Sequence, residues 1–438
     1  MEQITGAEQR RLVENKTHDN PLEKWGCYLS ERQWGTVRED YSTDGNAWNY
    51  FPFEHAKSRA YLWGEDGIAG YCDYFQNICF APAMWNGKDP IIKERLFGLA
   101  NGQGNHGEDV KELYYYLDNT PTHYYMKYLY KYPQQEFPYK ELLERNAEKT
   151  LREPEYELLD TGIFDDSKYF DVFIEYAKLN SEDTYICIEV VNRADTEAPY
   201  VLLPTVWIYN RWQNGTLKER PFLQTVRPGM LNITHERMGS YFFYYPETEE
   251  QYFAENETNT ELLTGVPNEH TFPKDAINDV IVSGKNKLKH QAQKTGTKFS
   301  PVYRMMLKAG ESKKIYFRLS NTQVEDAFQP GFEDIFAIRK NEADEFYATL
   351  IHAPEADIAN IERQAYAGLL WTKQYYHYDV EAWLKNSDGI TAVSETRKTG
   401  RNSNWPYLKN QDIISMPDKW EYPWYAAWDL AFHTISLA

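Results

Sequence analysis

The sequence predicts a mixed fold in which an antiparallel β-sandwich precedes a set of α-helices. Between about residues 155 and 320, β-branched and aromatic residues recur with period two and are separated by Asn, Asp, Gly and Pro, as in antiparallel sheets. After about residue 325 the apolar spacing becomes helical. A chain of 438 residues has room for roughly three ordinary domains or two large ones.

The strands of the sandwich are predicted where the period-two pattern is strongest, at 170–177, 185–191, 200–209, 240–245 and 314–319. The preceding part, from Leu22 to about Tyr132, is dense in Trp, Gly and acidic pairs. We expect loops and short elements there, with one helix at 90–97, because Pro90 suits a first helical turn and apolar residues follow at helical spacing.

Three helices are predicted after the sandwich. One is a linker helix that includes residues 332–338, and the second follows Pro354 and carries apolar residues at helical spacing from Ile358 to Thr372. The third begins at Pro423 and continues to Ala438. The predicted organisation is a polar lead-in at 1–20, a β-sandwich domain with a loop-rich first part at 21–325, a linker helix at 326–352 and the start of a helical domain at 353–438.

Two or three helices do not close a helical domain, and an uncapped apolar helix leaves its last carbonyl groups without partners. We therefore expect this chain to be the front part of a longer protein.

Composition narrows the class of protein. Acidic residues outnumber basic ones by 66 to 47, for a net charge of -19, which disfavours nucleic acids and anionic membranes as partners. Aromatic residues make up 16%, which suits a wet cleft that stacks sugars as well as an ordinary β-rich core. The four cysteines lack a C-x-x-C pair and the first residues lack an apolar stretch, so we expect reduced, buried thiols and a cytoplasmic protein.

The most informative segment for chemistry is 416–433. If a helix starts near Pro423, Asp429 lies within its first two turns and His433 one turn further on the same face. Trp424, Tyr425 and Trp428 are close in sequence, and a carboxyl group among such rings loses hydration, so that its pKa is expected to rise as a general acid requires. The same pattern fits an Asp–His pair on an aromatic core helix.

Other motifs exclude several classes of enzyme. The chain has no G-x-S-x-G and no Walker loop, and Gly102-Gln103-Gly104 lies in a predicted loop and does not follow a predicted strand, so serine-nucleophile, nucleotide and hydride chemistry are unsupported. His106, Glu108 and Asp109 are spaced as metal ligands, but no second cluster accompanies them, and a structural role is favoured. We expect no metal and no cofactor.

Several long blocks resemble the bacterial and fungal branch of glycoside hydrolase family sixty-three, in its amino-terminal half. The similarity extends over about residues 20–438, and the blocks are 29–42, 61–67, 105–112, 120–123, 157–164 and 420–433. The resemblance implies a β-sandwich followed by an (α/α)6 toroid, of which this chain holds only the beginning. It also implies inverting hydrolysis of α-glucosides or related α-glycosides, with an oligosaccharide or small glycoside as substrate.

The resemblance also implies roles for particular residues. Asp429 corresponds to the general acid that protonates the leaving oxygen, and Trp424, Tyr425, Trp428 and His433 are expected to line the sugar subsite. In related enzymes a sandwich loop reaches the mouth of the toroid, and Asn210-Arg211-Trp212, after a predicted strand, is the candidate loop; a plain turn is the alternative.

The general base of that family is a Glu further along the toroid, and the sequence ends nine residues after Asp429. We therefore expect the 438-residue chain to be inactive alone. Two other hypotheses remain open, a non-catalytic carbohydrate-binding or scaffold protein and a sugar phosphorylase of similar architecture. The sequence indicates no oligomeric state.

Overall fold

Two large antiparallel β-sheets make up most of the molecule. The computed structural model describes residues 6–16, 22–33, 35–42, 51–107, 109–385, 395–400, 402–416, 419–420 and 425–437. In chain order the strands are β1 (Trp25–Gly26), β2 (Tyr71–Asp73), β3 (Ile78–Trp85), β4 (Gly98–Leu99), β5 (Asp109–Val110), β6 (Tyr114–Asn119), β7 (Tyr125–Pro133), β8 (Tyr169–Asn180), β9 (Asp183–Asn192), β10 (Ala198–Ile208), β11 (Phe222–Arg227), β12 (Met230–His235), β13 (Gly239–Tyr244), β14 (Gln251–Ala254), β15 (Thr295–Gly296), β16 (Lys298–Pro301), β17 (Tyr303–Leu307), β18 (Ser312–Ser320), β19 (Lys373–Asp379) and β20 (Lys409–Ser415).

The first sheet has the order β1-β2-β3-β10-β16-β14, with β17 paired to β10. The second has the order β15-β11-β12-β13-β18-β9-β8-β7-β6. Their facing side chains, including Phe80 and Leu202 from the first sheet and Ile174 and Phe243 from the second, belong to one buried cluster. Burial of this apolar surface, at about 25 cal/mol per Å², stabilises a sandwich-like arrangement of the two sheets.

All five strands predicted from the period-two pattern are present, as β8, β9, β10, β13 and β18. In β8 the residues Phe170, Val172, Ile174 and Tyr176 are all fully buried, because alternate side chains of a strand face the same side of the sheet. The predicted strand pattern is therefore confirmed where alternation of apolar residues is strongest.

The helix predicted at 90–97 is wrong. The segment forms no helix, and Lys93 exchanges backbone hydrogen bonds with Met84 at 2.8 and 3.0 Å. The next two side chains form buried ion pairs with distant residues, Glu94 with Lys298 at 2.7 Å and Arg95 with Asp66 at 3.2 Å. These tertiary ion pairs override the helical spacing of the apolar residues.

The helices are α1 (Ala7–Asn15), α2 (Val37–Tyr41), α3 (Phe53–Ala56), α4 (Tyr139–Ala147), α5 (Thr260–Thr264), α6 (Ala276–Ser283), α7 (Lys287–Gln291), α8 (Asp334–Tyr347), α9 (Ala356–Trp371), α10 (Val380–Lys385), α11 (Glu395–Thr399) and α12 (Ala427–Leu437). Helices α8 and α9 confirm the two helices predicted after the sandwich, and α12 begins four residues later than the predicted Pro423, which lies outside the described residues.

Helices α8 and α9 pack against the second sheet. Arg339 of α8 donates to the carbonyl oxygen of Lys178 in β8 at 2.6 Å, and Trp371 of α9 donates to that of Asp118 in β6 at 3.0 Å. The Trp371 ring stacks on Tyr116, with centroids 5.6 Å apart. The part of the chain predicted to be only helical also contains an antiparallel hairpin, β19–β20, and the described helices do not by themselves establish a toroid.

None of the helices in the described ranges combines the length and the apolar character needed to span a lipid bilayer.

Candidate functional site

Helix α12 carries Asp429 as its third residue, with the side chain partly buried. His433 lies four residues later on the same helix, which places it on the same face. Trp428 and Phe432 are 77% and 58% exposed, and their ring centroids are 6.2 Å apart. Trp424 and the side chain of His433 lie outside the described residues. The described part of this helix therefore presents a partly buried carboxyl group beside an exposed apolar strip.

The chain just before α12 is attached to the sandwich and to α9. The ammonium group of Lys419 is buried, 3.0 Å from Glu31, and it donates to the carbonyl oxygen of Trp371 at 2.9 Å. Tyr425 lies beside Tyr376 of β19, with ring centroids 6.1 Å apart. These contacts fix the point from which α12, and with it Asp429, extends.

The predicted loop at Asn210-Arg211-Trp212 follows β10 at one edge of the first sheet. Strands β10 and β14 both pair antiparallel with β16, so they run in the same direction and end at the same edge. Asn256, after β14, donates to the carbonyl oxygen of Ile208 at 3.0 Å, and Asn210 donates to that of Asn256 at the same distance. The two loops are therefore joined directly.

A cleft of about 530 Å³ opens where these two loops meet. We call it the Trp212 cleft. Its lining residues come from four segments that are far apart in the sequence, namely Ala60, Tyr61 and Leu62; Asn210, Trp212, Gln213, Asn214 and Arg220; Glu257, Thr258 and Thr260; and Glu269 and His270. The cleft combines the aromatic rings of Trp212 and Tyr61 with amide, hydroxyl, carboxylate and imidazole groups, a mixture typical of a site for a small polar ligand.

Glu257 lies at the centre of the hydrogen bonds in the Trp212 cleft. Its Oε1 accepts from the indole nitrogen of Trp212 at 3.0 Å and from Arg220 at 3.3 Å, and its Oε2 lies 2.7 Å from Nδ1 of His270. Because an ionised carboxylate only accepts hydrogen bonds, Nδ1 carries the hydrogen. The imidazole ring is thereby held in one orientation, and its Nε2 has no hydrogen-bond partner among the described residues.

The electrostatic balance of the Trp212 cleft is negative. Arg220 is shared between Glu255 at 2.7 Å and Glu257 at 3.3 Å. Glu269 is exposed at the rim, where Gln213 donates to it at 3.4 Å. Among the described residues, Arg220 is thus the one permanent cation in the lining, beside Glu257, Glu269 and the neighbouring Glu255, and an anionic ligand is disfavoured there.

Arg211, the middle residue of the predicted loop, points away from the cleft. Its guanidinium group donates to Oδ1 of Asn77 at 3.1 Å, to the carbonyl oxygen of Phe75 at 3.0 Å and to the hydroxyl oxygen of Tyr375 at 2.8 Å. Tyr375 belongs to β19, so Arg211 joins the sandwich to the β19–β20 hairpin. The structure brings Asn210 and Trp212 together in the cleft and assigns Arg211 a different set of partners.

A buried network of ionic groups supports the cleft from below. Glu65 accepts from the side chain of Asn256 at 2.8 Å and from the indole nitrogen of Trp207 at 3.1 Å. Burial raises the pKa of Glu65 and lowers that of Lys274. The cavity among these groups has a volume of about 20 Å³, enough for a single water molecule. Because Asn256 directly precedes Glu257, this network fixes the floor of the Trp212 cleft.

Aromatic packing connects the Trp212 cleft with the segment before α12. Leu62 lines the cleft and also packs on a buried cluster that contains Trp63, Tyr376 and Tyr378. Tyr376 in turn lies beside Tyr425. The cleft and the segment before the Asp429 helix are therefore linked through Leu62 and one buried aromatic cluster.

Two groups of side chains have ligand atoms close enough to hold a metal ion. The first is Glu257, Glu269 and His270, and the second is Asp109, Glu155 and Glu157, with the ligand atoms of each group within 4.8 Å of one another. In the first, Glu257 is already paired with Arg220, and in the second, the ammonium group of Lys111 contacts all three carboxylates. A cation from the protein thus already contacts each group.

The predicted metal candidates at 106–109 do not form a cluster in the described residues. Nε2 of His106 lies 3.0 Å from the carbonyl oxygen of Glu153, Asp109 contacts Lys111 at 2.6 Å, and Glu108 lies outside the described residues.

Sequence reasoning missed Glu257, His270 and Arg220. No spacing motif joins residues from three separate loops, and the only available signal was that a polar segment follows each of the strands β10 and β14. Only the order of the strands in the sheet brings these segments together.

Comparisons with known proteins show that the sequence is similar to a curated yeast protein. No family model matches the sequence. "Uncharacterized protein YMR196W" of Saccharomyces cerevisiae is 41% identical over an alignment of 479 positions, which covers 98% of this chain and 44% of the yeast protein. The chain thus spans less than half the length of that relative. A solved structure, "Putative kojibiose phosphorylase from human microbiome", matches 49% of this chain and 23% of its own at 9% identity, and its TM-score of 0.21 establishes no common fold.

Proposed function

We propose that this chain is the amino-terminal portion of an inverting glycoside hydrolase that acts on α-glucosides or related α-glycosides. Asp429 is the general acid, and Trp424, Tyr425, Trp428 and His433 line the subsite beside it. The general base is a Glu outside these residues. Asn210 and Trp212 contact the sugar from the sandwich, while Arg211 holds the β19–β20 hairpin in place.

In the proposed reaction, the protonated carboxyl group of Asp429 gives its proton to the glycosidic oxygen as the bond between that oxygen and the anomeric carbon breaks. A water molecule attacks the anomeric carbon from the opposite face and loses its proton to the general base. Inversion requires room for this water, so the two carboxyl groups of such enzymes lie roughly 6.5–9.5 Å apart.

The observation that carries the proposal is the position of Asp429 in the first turn of α12, with His433 one turn further on and two aromatic residues, Tyr425 and Trp428, shortly before it in the chain. The motif blocks quoted from the sequence support the same assignment, as does the order of a sandwich-like domain before helices. The Trp212 cleft, with aromatic and polar groups in its lining, gives a sugar a contact surface on the sandwich.

The test is turnover of α-glucosides by the complete protein that contains this chain. We expect Asp429→Asn to lower kcat by about 10³-fold or more, because the amide cannot protonate the leaving group. Unchanged circular dichroism and thermal stability would show that the fold is intact. The first sugar released, followed by proton NMR, is expected to be the β-anomer.

A conservative control is Asp412→Asn, because Asp412 lies on β20 of the hairpin, outside the proposed machinery. It should retain the wild-type rate. An Asp429→Asn variant with wild-type turnover would remove the assignment, and turnover that requires inorganic phosphate would replace the hydrolase with a phosphorylase.

The second candidate function is carbohydrate binding without catalysis. It is favoured by the Trp212 cleft, whose lining residues all come from the segment 60–270 and do not include Asp429. A complete protein that binds oligosaccharides but turns over none of them would support this function over hydrolysis.

A further inference from the structure

We infer that the Trp212 cleft is a self-contained binding site for a neutral sugar ring, in which His270, held by Glu257, is the residue that recognises the sugar hydroxyl groups. The inference rests on the proposed function for the class of ligand. It goes further by assigning new residues, by excluding acidic and phosphorylated sugars, and by placing the site in the sandwich alone.

The first step is the shape of the site. The cleft has a volume of about 530 Å³, which lies within the range of sites that enclose small ligands and is larger than one pyranose ring. Its walls are the loops after β10 and β14, and their floor is fixed by the buried side chain of Asn256, which donates to Glu65 at 2.8 Å and to the carbonyl oxygen of Ile208 at 3.0 Å. A rigid floor below adaptable rim residues is suited to a small ligand.

The second step is the orientation of His270. Its Nδ1 is 2.7 Å from Glu257, and Glu257 is itself only 5% exposed and held by Trp212 at 3.0 Å. The ring is therefore fixed before a ligand arrives, which lowers the entropic cost of binding. With Nδ1 engaged, Nε2 faces a ligand as an acceptor for a hydroxyl group when the ring is neutral, or as a donor when it is protonated.

The third step is charge. Glu257 and Glu269 line the cleft, and Arg220, the one permanent cation among the described lining residues, is already shared between Glu255 and Glu257, so the field in the cleft repels carboxylates and phosphates. Carboxylate and amide oxygens that accept from hydroxyl groups suit a neutral polyol. The ligand class that fits the shape, the fixed imidazole and the charge together is a neutral sugar.

The experiment uses the 438-residue chain and ligand-observed NMR titration with three probes, methyl α-D-glucopyranoside, D-glucuronate and D-glucose 6-phosphate. We expect the neutral probe to bind with a dissociation constant of about 1 mM, a realistic value for so small a ligand. The two anionic probes should bind at least ~10-fold more weakly, with a difference that narrows as salt is added.

Three variants separate the steps. His270→Ala should weaken binding of the neutral probe by about 10-fold, because one oriented hydrogen bond is lost. Glu269→Gln removes one negative charge from the exposed rim and should reduce the discrimination against D-glucuronate. His106→Ala is the matched control, since His106 is an exposed histidine outside the cleft, and it should bind as the wild type does.

Several outcomes would overturn the inference. They are an absence of saturable binding of the neutral probe by the wild-type chain, unchanged binding by His270→Ala, or tighter binding of the anionic probes. None of these measurements depends on turnover. Loss of hydrolysis in the complete protein with binding retained would therefore contradict only the proposed function, and hydrolysis without binding by the 438-residue chain would contradict only this inference.

Discussion

Replacement of Arg211 by alanine is the sharpest test of how the hairpin is attached to the sandwich. The guanidinium group of Arg211 is buried, and it makes hydrogen bonds of 3.1, 3.0 and 2.8 Å to Asn77, Phe75 and Tyr375. Alanine removes all three bonds at once and leaves the carbonyl oxygen of Phe75 and the amide oxygen of Asn77 without this donor. We therefore expect the β19–β20 hairpin to separate from the sandwich more often.

The size of the effect follows from these bonds. A hydrogen bond from a charged donor contributes about 1.5–3 kcal/mol, but the three bonds share one side chain and do not add fully. A cost of about 3–4 kcal/mol is consistent with the removal of one partner from a buried polar cluster. If the hairpin opens locally, amide hydrogens in β19 and β20 should exchange about 10²–10³-fold faster.

Native-state hydrogen exchange followed by mass spectrometry measures this change element by element. Tyr375→Phe is the graded control, because it keeps the guanidinium group and removes only the bonds that the Tyr375 hydroxyl oxygen accepts, from Arg211 at 2.8 Å and from Gln411 at 3.1 Å. It should cost about 2 kcal/mol. Protection in β8 and β9, in the second sheet, should stay as in the wild type. Unchanged exchange in β19 and β20 of the Arg211→Ala variant would refute the role assigned to this residue.

Three further predictions concern buried groups elsewhere in the chain. Burial by itself would raise the pKa of Glu94, but the charges of Lys298 and Arg95 outweigh this effect and lower the pKa to about 2. The folded state therefore binds fewer protons than the unfolded state between pH 2 and the ordinary pKa of 4.5. About 3 kcal/mol of stability should be lost as the pH falls through that window. Thermal unfolding should show this loss in the wild type and a smaller one in Glu94→Gln, and parallel curves for the two proteins would contradict the ion-pair explanation. Lys111→Met should destabilise the loops that its ammonium group joins and leave three adjacent carboxylates that bind Ca²⁺ weakly, so added Ca²⁺ should raise the melting temperature of the variant and not that of the wild type. The four cysteines are free and buried, so a thiol reagent should label none in the native protein and all four after denaturation, and rapid labelling of the native protein would contradict this burial.

Strong alternation in the sequence was enough to predict β8, β9, β10, β13 and β18. In each of these strands, apolar side chains at every second position enter the core between the sheets, and the position of the strand in the sequence does not matter for that rule. The hairpin β19–β20 was missed for a different reason. Its first strand holds the aromatic run Tyr375–Tyr378, but its partner begins only at Lys409, and no turn signal joins strands so far apart in sequence.

The helix predicted at 90–97 shows where local patterns fail. Helical spacing of Ile91, Leu96 and Phe97 was a correct observation, but the charged residues between them are buried and paired with distant partners. Lys93, for example, is 2.6 Å from Glu112, and neither side chain is exposed. A sequence pattern counts charged residues as solvent-facing, so it could not foresee that three consecutive charges would each be neutralised inside the protein.

In the candidate site, too, some side-chain positions follow from the local sequence and others from distant parts of the chain. Residues 209–211 directly follow β10, and consecutive side chains at the end of a strand tend to lie on opposite sides of the chain. Asn210 and Trp212 share one side and enter the cleft, while Arg211 takes the other and reaches Tyr375. Parity along a strand could have separated these roles from the sequence alone.

The partners of Trp212 could not have been found by the same rule. Glu257 reaches the cleft because β10 and β14 run in the same direction on either side of β16. His270 reaches it because its segment returns beside the one that contains Glu257, with a hydrogen bond of 2.9 Å from the backbone amide of Lys274 to the carbonyl oxygen of Glu257. A strand order is a global property of the sheet. A site formed at the edge of a sheet therefore depends on information that no single segment of the sequence contains, and the fixed orientation of His270 is a consequence of the fold as a whole.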